Sequence, residues 1–141
     1  IRWFFGDVEK ISAMSSRIGE MELKPNPNIF QMNLKLNTGA LVQVHMDYIQ
    51  FPQRRIFEVY GDKGTLSYDF MTGEICHFTF QREYHCVNKN VTPVTERWND
   101  LFRKEHDSIL SSRLNGQPPF VSGTDGLRSL EIAEHAISVA I

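Results

Sequence analysis

The apolar residues of this chain change their period once, near residue 95, and that switch constrains the fold more than any other feature. From Phe30 to Leu36 every second position is apolar, Phe30, Met32, Leu34 and Leu36, with Gln31, Asn33 and Lys35 between them. A strand sends successive side chains to opposite faces, so this pattern describes a strand with one face in a core and one toward solvent. Val42, Val44, Met46 and Tyr48 continue the alternation against Gln43, His45 and Asp47. Beyond Thr95 the spacing is helical. Trp98, Leu101, Phe102, Ile109, Leu110 and Leu114 share one stripe, which ends at Asn115-Gly116 with Pro118 and Pro119 just after. Strands first and helices last predict an α+β domain: an open, mainly antiparallel sheet whose helices cover one face and whose other face is available for oligomerisation.

The remaining segments fit that plan. Residues 8–18 read as a strand with loose alternation, followed by a loop rich in Pro and Asn. Residues 56–60 and 65–70 flank Gly61-Asp62-Lys63-Gly64, and 74–80 form a further strand. The glycine pair lacks the spacing of a phosphate-binding loop and sits between strands, so it predicts a hairpin turn in which Gly64 takes a positive φ. Residues 81–94 read as irregular. A second helix is expected near Ser122, with Asp125 as a capping-box partner and Leu127, Leu130, Ala133, Ile137 and Ile141 on its packed face. Ile1, Phe4 and Phe5 followed by Gly6 suggest the last turn of a helix closed by a C′ glycine. Both ends therefore read as those of a domain cut from something longer.

Composition excludes several function classes. With 141 residues, 41% of them hydrophobic, the chain suits one domain with a real core. Its 15 basic and 17 acidic residues form no long run of either sign, which argues against nucleic acid or an anionic membrane as partner. Two cysteines make no disulfide framework, no apolar run reaches the length of a membrane span, and no signal peptide opens the chain, so the cytoplasm is the expected compartment.

Five stretches in order, "IRWFFGDVEKISA", "LKLNTGALVQVHMDY", "IFEVYGDKGTLSYDF", "FRKEHDSILSSRLNGQPP" and "VSGTDGLRSLEIAEHAI", resemble the C-terminal domain of the glucose-fructose oxidoreductase, inositol dehydrogenase and MocA family. The resemblance covers nearly the whole chain. It implies a dihydrodipicolinate-reductase-like C-terminal fold over residues 1–141, an upstream Rossmann domain that binds NAD or NADP, and a homo-oligomer made through the free sheet face. It also implies a sugar, nucleotide-sugar or polyol substrate whose pocket this domain completes. The family's glycine fingerprint and catalytic lysine, aspartate and histidine belong upstream of residue 1, and Glu22-Leu23-Lys24-Pro25 has one residue too many to stand for its Glu-Lys-Pro motif. No catalytic, cofactor or metal residue is therefore assigned within the chain, which alone should neither catalyse hydride transfer nor bind NAD(P). The competing reading is a non-enzymatic binding or dimerisation module using the same sheet face.

Tyr48, Phe51, Gln53, Arg54 and Arg55 are the candidate substrate-binding residues. They cluster around Pro52, and the resemblance sets this connection close to the family's substrate pocket. A guanidinium binds carboxylate or phosphate through a two-pronged fork, which suits an acidic sugar or a nucleotide-sugar. The alternative for the arginines is an edge-strand salt bridge. His45 and Asp47, two apart on a polar strand face, can act as a base and its orienting carboxylate or lie in a dimer interface. Cys76, His77, His85 and Cys86 are residue types that zinc takes, but neighbours on a strand point apart. A Cys76–Cys86 disulfide requires the two strands to pair in register. Glu105, His106 and Asp107 spread around a helix as a solvated face, and Trp98 and Phe102 are expected in the core.

Overall fold

The computed structural model describes residues 1–21, 26–81, 86–95 and 98–141. The chain forms two compact units, Ile1–Ile49 with Ile109–Ile141, and Gln50–Ser108. The α+β class and the antiparallel pairing are as the alternation predicts, and the strands are divided between two sheets.

In the first unit a short helix, α1 (Arg2–Phe5), ends at Gly6, the closing glycine, at φ 93° and ψ −176°. Three strands follow, β1 (Val8–Ser16), β2 (Ile29–Leu36) and β3 (Leu41–Asp47), paired in the order β1-β2-β3. Their register sets Met14 and His45 on either side of Gln31, and Ser12 and Gln43 on either side of Asn33. Residues facing one another across strands share a face, so one side of the sheet carries Met32, Leu34, Leu36, Val42 and Val44, and the other carries the polar set. Ala13, Leu34 and Leu36 are buried on the apolar side. Asn28, 3% exposed, ties the strand ends together. Its Oδ1 accepts the Ile18 N–H at 3.0 Å, its Nδ2 donates to the Ile18 carbonyl at 2.8 Å, and its own carbonyl accepts the Tyr48 N–H at 3.1 Å.

In the second unit β4 (Ile56–Gly61), β5 (Gly64–Asp69), β6 (Glu74–Gln81) and β7 (Cys86–Pro93) pair in sequence order. Gly61 pairs with Gly64 across Asp62-Lys63, and Gly64 has φ 146°, so the glycine pair is a two-residue hairpin. Over residues 86–93 the irregular reading of 81–94 is overturned by β7, which pairs with β6 from Glu74↔Pro93 to Gln81↔Cys86, while 82–85 lie outside the described residues. Its Asn-Lys-Asn core has low strand propensity, and pairing with β6 overrides that preference. The same register separates the cysteines by five residues along β7, about 16 Å, well beyond the roughly 7 Å that a disulfide spans. Cys76 is a free thiol.

α2 spans Trp98–Asn115 and α3 spans Gly123–Val139. The capping box at α3 is present in full. The Ser122 hydroxyl accepts the Asp125 N–H at 3.2 Å, while the Asp125 carboxylate accepts the Ser122 N–H at 3.0 Å. α3 packs on β1 through Ala136, 1% exposed, flanked by half-buried Ile132 and Ala140. This is not the stripe expected from the sequence: Leu127, Leu130, Ile137 and Ile141 are 54–93% exposed. Apolar residues occupy most of this helix's circumference, and the small Ala136, with Ala13 on β1, permits the closer approach of backbone to backbone. Phe102, expected in the core, is 56% exposed on α2, as are its stripe-mates Ile109 and Leu110 at 54% and 61%. Glu105, His106 and Asp107 are exposed, as expected.

Candidate functional site

β3 ends at Asp47, so the segment carrying the candidate substrate residues begins outside regular structure. Tyr48 lies in the first unit and is 68% exposed. The other four lie in the second unit. Phe51, 95% exposed, precedes Pro52 through a cis peptide bond, and Gln53 and Arg54 are also exposed. Arg55 differs. Its carbonyl accepts the Phe70 N–H at 2.9 Å, and its guanidinium carbon lies 4.6 Å from the Phe70 ring centroid. Tyr68 and Phe70 are themselves in ring contact at 4.3 Å. A cation over an aromatic face gains about 0.5–1 kcal/mol when exposed, so Arg55 is seated against Phe70, just beyond the end of β5. Arg54 makes no hydrogen bond, ion pair or ring contact among the described residues.

On the polar face of the first sheet the structure joins His45 to Asp47 as their spacing suggests, and adds Gln31 from β2. His45 Nε2 donates to Asp47 Oδ2 at 2.8 Å, and Gln31 Nε2 lies 3.0 Å from His45 Nδ1. Asp47 Oδ1 accepts the Ile49 N–H at 2.8 Å, so the carboxylate is fixed from two sides. Its side chain is 7% exposed, that of His45 48%. With Nε2–H directed at Asp47, the lone pair on Nδ1 accepts the Gln31 amide. A free base would need that lone pair, so the arrangement pins the imidazole rather than presenting it to a substrate.

Sequence reasoning missed a third constellation. Arg2 Nε donates to Asp7 Oδ1 at 2.8 Å, Arg2 Nη1 to the Asp125 carbonyl at 3.2 Å, and Arg128 Nη1 to Asp7 Oδ2 at 3.1 Å. The Arg2 side chain is 16% exposed, and it joins α1 to the start of α3. A cleft of about 440 Å³ lies beside it, lined by Arg2, Asp7, Glu9, Thr124, Arg128 and His135 among others. Both arginines already serve Asp7, so the cleft has no free fork for an anion. Asp125 was legible as a cap, but nothing local announces that Arg2 reaches it.

These contacts set a pH dependence. The hydrogen bond from Arg2, reinforced by its charge and that of Arg128, holds the Asp7 carboxyl below the usual range. The Ser122 hydroxyl and then its backbone N–H do the same for Asp125. A carboxylate with a depressed folded-state pKa contributes stability that is complete above the unfolded value, near 4, and is lost as the pH falls through the folded value. Thermal melts from pH 7 to pH 2 should therefore show acid destabilisation setting in below about pH 4. Asp7→Asn should flatten that slope. An unchanged slope in the variant would remove Asp7 from the account.

Among the described residues no three His, Cys, Asp or Glu side chains gather as metal ligands, and the set that includes His85 lies partly outside them. No described helix is long and apolar enough to cross a membrane.

Residues 1–139 match the family model for the C-terminal alpha/beta domain of the Gfo/Idh/MocA oxidoreductase family. No curated protein sequence matches the chain. Among solved structures, the chain is similar to UDP-N-acetylglucosamine 3-dehydrogenase from Acidithiobacillus ferrooxidans, with TM-score 0.78 and 16% identity, covering 95% of this chain and 41% of that one. It is also similar to a Synechocystis biliverdin reductase in complex with biliverdin and NADP+, with TM-score 0.73, 23% identity and coverage of 99% and 42%. A levoglucosan dehydrogenase in complex with NADH and L-sorbose gives TM-score 0.74, 14% identity and coverage of 99% and 45%. The chain thus spans about two fifths of the length of the structures it matches.

Proposed function

The chain belongs to the Gfo/Idh/MocA family of oxidoreductases, as its C-terminal alpha/beta domain, and from that premise we propose that it completes the substrate pocket of an NAD(P)-dependent sugar, nucleotide-sugar or polyol oxidoreductase. In the same reading the polar face of the β1–β3 sheet carries self-association, and the enzyme is cytoplasmic. The family match over residues 1–139 is the observation that carries the proposal. Neighbours of the same fold that are named as dehydrogenases or reductases, one with NADP+ and one with NADH, support it.

The described residues of this chain do not themselves fit a dinucleotide. A pyrophosphate needs open backbone N–H groups at a glycine-rich helix start. At α3 the Asp125 carboxylate already accepts the Ser122 N–H and puts a negative charge where the phosphates would sit. Gly61 and Gly64 bracket a hairpin. The cofactor is therefore assigned to an upstream Rossmann domain, and no chemical step is drawn within residues 1–141. Calorimetry with NADH and NADPH tests this: the whole polypeptide should bind one of them and residues 1–141 alone should bind neither. Failure of the whole polypeptide to bind or turn over either would favour the non-enzymatic module.

For the pocket, Arg54 is the first residue to test. Arg54→Ala should raise KM about tenfold with little change in kcat, because a contact remote from the transferred hydride acts equally on ground and transition states. Arg54→Lys should recover part of the loss. Arg55→Ala, which removes the cation from the Phe70 ring, should act on thermal stability instead. Unchanged KM in Arg54→Ala would remove it from the pocket.

A further inference from the structure

The ionisable side chains of β1, β2 and β3 are Glu9, Lys10, Lys35, His45 and Asp47. The register sets Lys10, Lys35, His45 and Asp47 along the polar face by sign, while Glu9 falls in the bulge between Val8 and Lys10 and reaches that face through Lys35. Lys10 pairs with Lys35, which in turn holds Glu9 at 3.1 Å, at one end of the strands; Asp47, opposite Ile29, stands at the other. Between these ends lie Ser12, Met14, Gln31, Asn33, Gln43 and His45. Such a face is self-complementary. A two-fold axis lying across the strands, between the Gln31–His45 and Asn33–Gln43 rows, lays the basic end of one copy over the acidic end of another. α3 packs on the opposite side of the sheet through Ala136 and Ile132, so it directs no charge at His45.

We propose that His45, pinned between Gln31 and Asp47, makes self-association through this face depend on pH, weakening it as the solution becomes acidic. The inference rests on the reading that the face associates with a second copy. With neutral imidazole the two lysines balance Glu9 and Asp47, and two uncharged faces meet. Histidine is the side chain that gains a proton between about pH 8 and pH 5. At Nδ1 Gln31 can turn its amide to offer oxygen in place of nitrogen, so the same contact serves an imidazolium as well as an imidazole. Each face then carries one net positive charge, and an imidazolium within the contact must lose its water. Both effects oppose association.

Sedimentation equilibrium of the whole polypeptide between pH 8 and pH 5.5 tests the proposal, with His45→Gln and His45→Lys alongside. The native dissociation constant should rise about tenfold across that range. His45→Gln, which stays neutral and can still donate to Asp47, should associate equally at every pH. His45→Lys, charged throughout, should match the weak acidic limit of the native protein even at pH 8. A native protein that associates equally at all pH values, or a His45→Gln variant that retains the native pH dependence, would overturn the role of His45 and leave the associating face standing. A monomer at high micromolar concentration at pH 8 would overturn the face and the switch together.

Discussion

Leu36→Ala should lower the unfolding free energy of the first unit by about 3 kcal/mol, within the 2–5 kcal/mol that large-to-small changes at fully buried leucines produce. Leu36 is 0% exposed, the largest fully enclosed side chain among the described residues. It sits at the end of β2, opposite Val8, where its backbone also closes the turn: its N–H donates to the Ala40 carbonyl and its own carbonyl accepts the Gly39 N–H, both at 2.9 Å. Because that backbone is fixed, the strand cannot collapse into the space left by the lost atoms, and the cavity persists. The buried core beside it is small, with Ala13, Leu34 and Ala136 the other buried apolar residues described, so few side chains are available to refill the space. Leu41→Ala provides the comparison. Leu41 is 81% exposed, and its loss should change stability by no more than about 0.5 kcal/mol. Urea titrations of the two variants measure the difference directly, and equal midpoints would refute the assignment of Leu36 to the core.

Gly64→Ala should be at least as damaging, and its damage should be confined to the second sheet. Two independent penalties coincide at this position. A φ of 146° lies in a region that residues with a Cβ rarely adopt, and a Cβ built there would fall inside the van der Waals envelope of the Phe78 carbonyl oxygen. Phe78 belongs to β6, which pairs with β5 directly, so neither backbone can move without breaking the ladder. Strained φ alone costs on the order of 1–3 kcal/mol, and a backbone clash adds a further 1–3 kcal/mol. Hydrogen exchange resolves where the loss falls. Protection should disappear from β4, β5 and β6 while β1, β2 and β3 keep theirs. Full protection of β5 and β6 in the variant would show that the hairpin accepts a side chain. Gly61, on the other side of the same hairpin, meets only the Gly64 carbonyl at 3.8 Å, so Gly61→Ala should be mild.

The same contrast separates what could be read of the candidate site from what could not. His45 and Asp47 were legible as a pair because two residues of one strand share a face whatever the strand packs against. Gln31 could be assigned to the same face, but its contact with His45 depends on the register of β2 against β3. Arg54 and Arg55 were adjacent and indistinguishable as letters. Phe70, fifteen residues on, distinguishes them by offering its ring to Arg55. Arg2 and Asp125 carried no shared local signal at all, since their contact joins residues more than a hundred positions apart.

By itself the sequence determined the elements that arise from neighbouring residues: the alternation of β2 and β3, the Gly64 hairpin, the Gly6 stop and the Ser122–Asp125 capping box. Each is a local steric or hydrogen-bonding preference, satisfied within a few residues and therefore visible in a few letters. Tertiary structure alone decided that the strands divide into two sheets, that Cys86–Pro93 becomes β7, and that α3 turns Ile132 and Ala136 to β1 while Leu127, Leu130 and Ile137 stay exposed. Those choices depend on how closely two surfaces can approach and which hydrogen-bond partners remain open. A helix that is apolar on several sides carries no record of which side that competition will select.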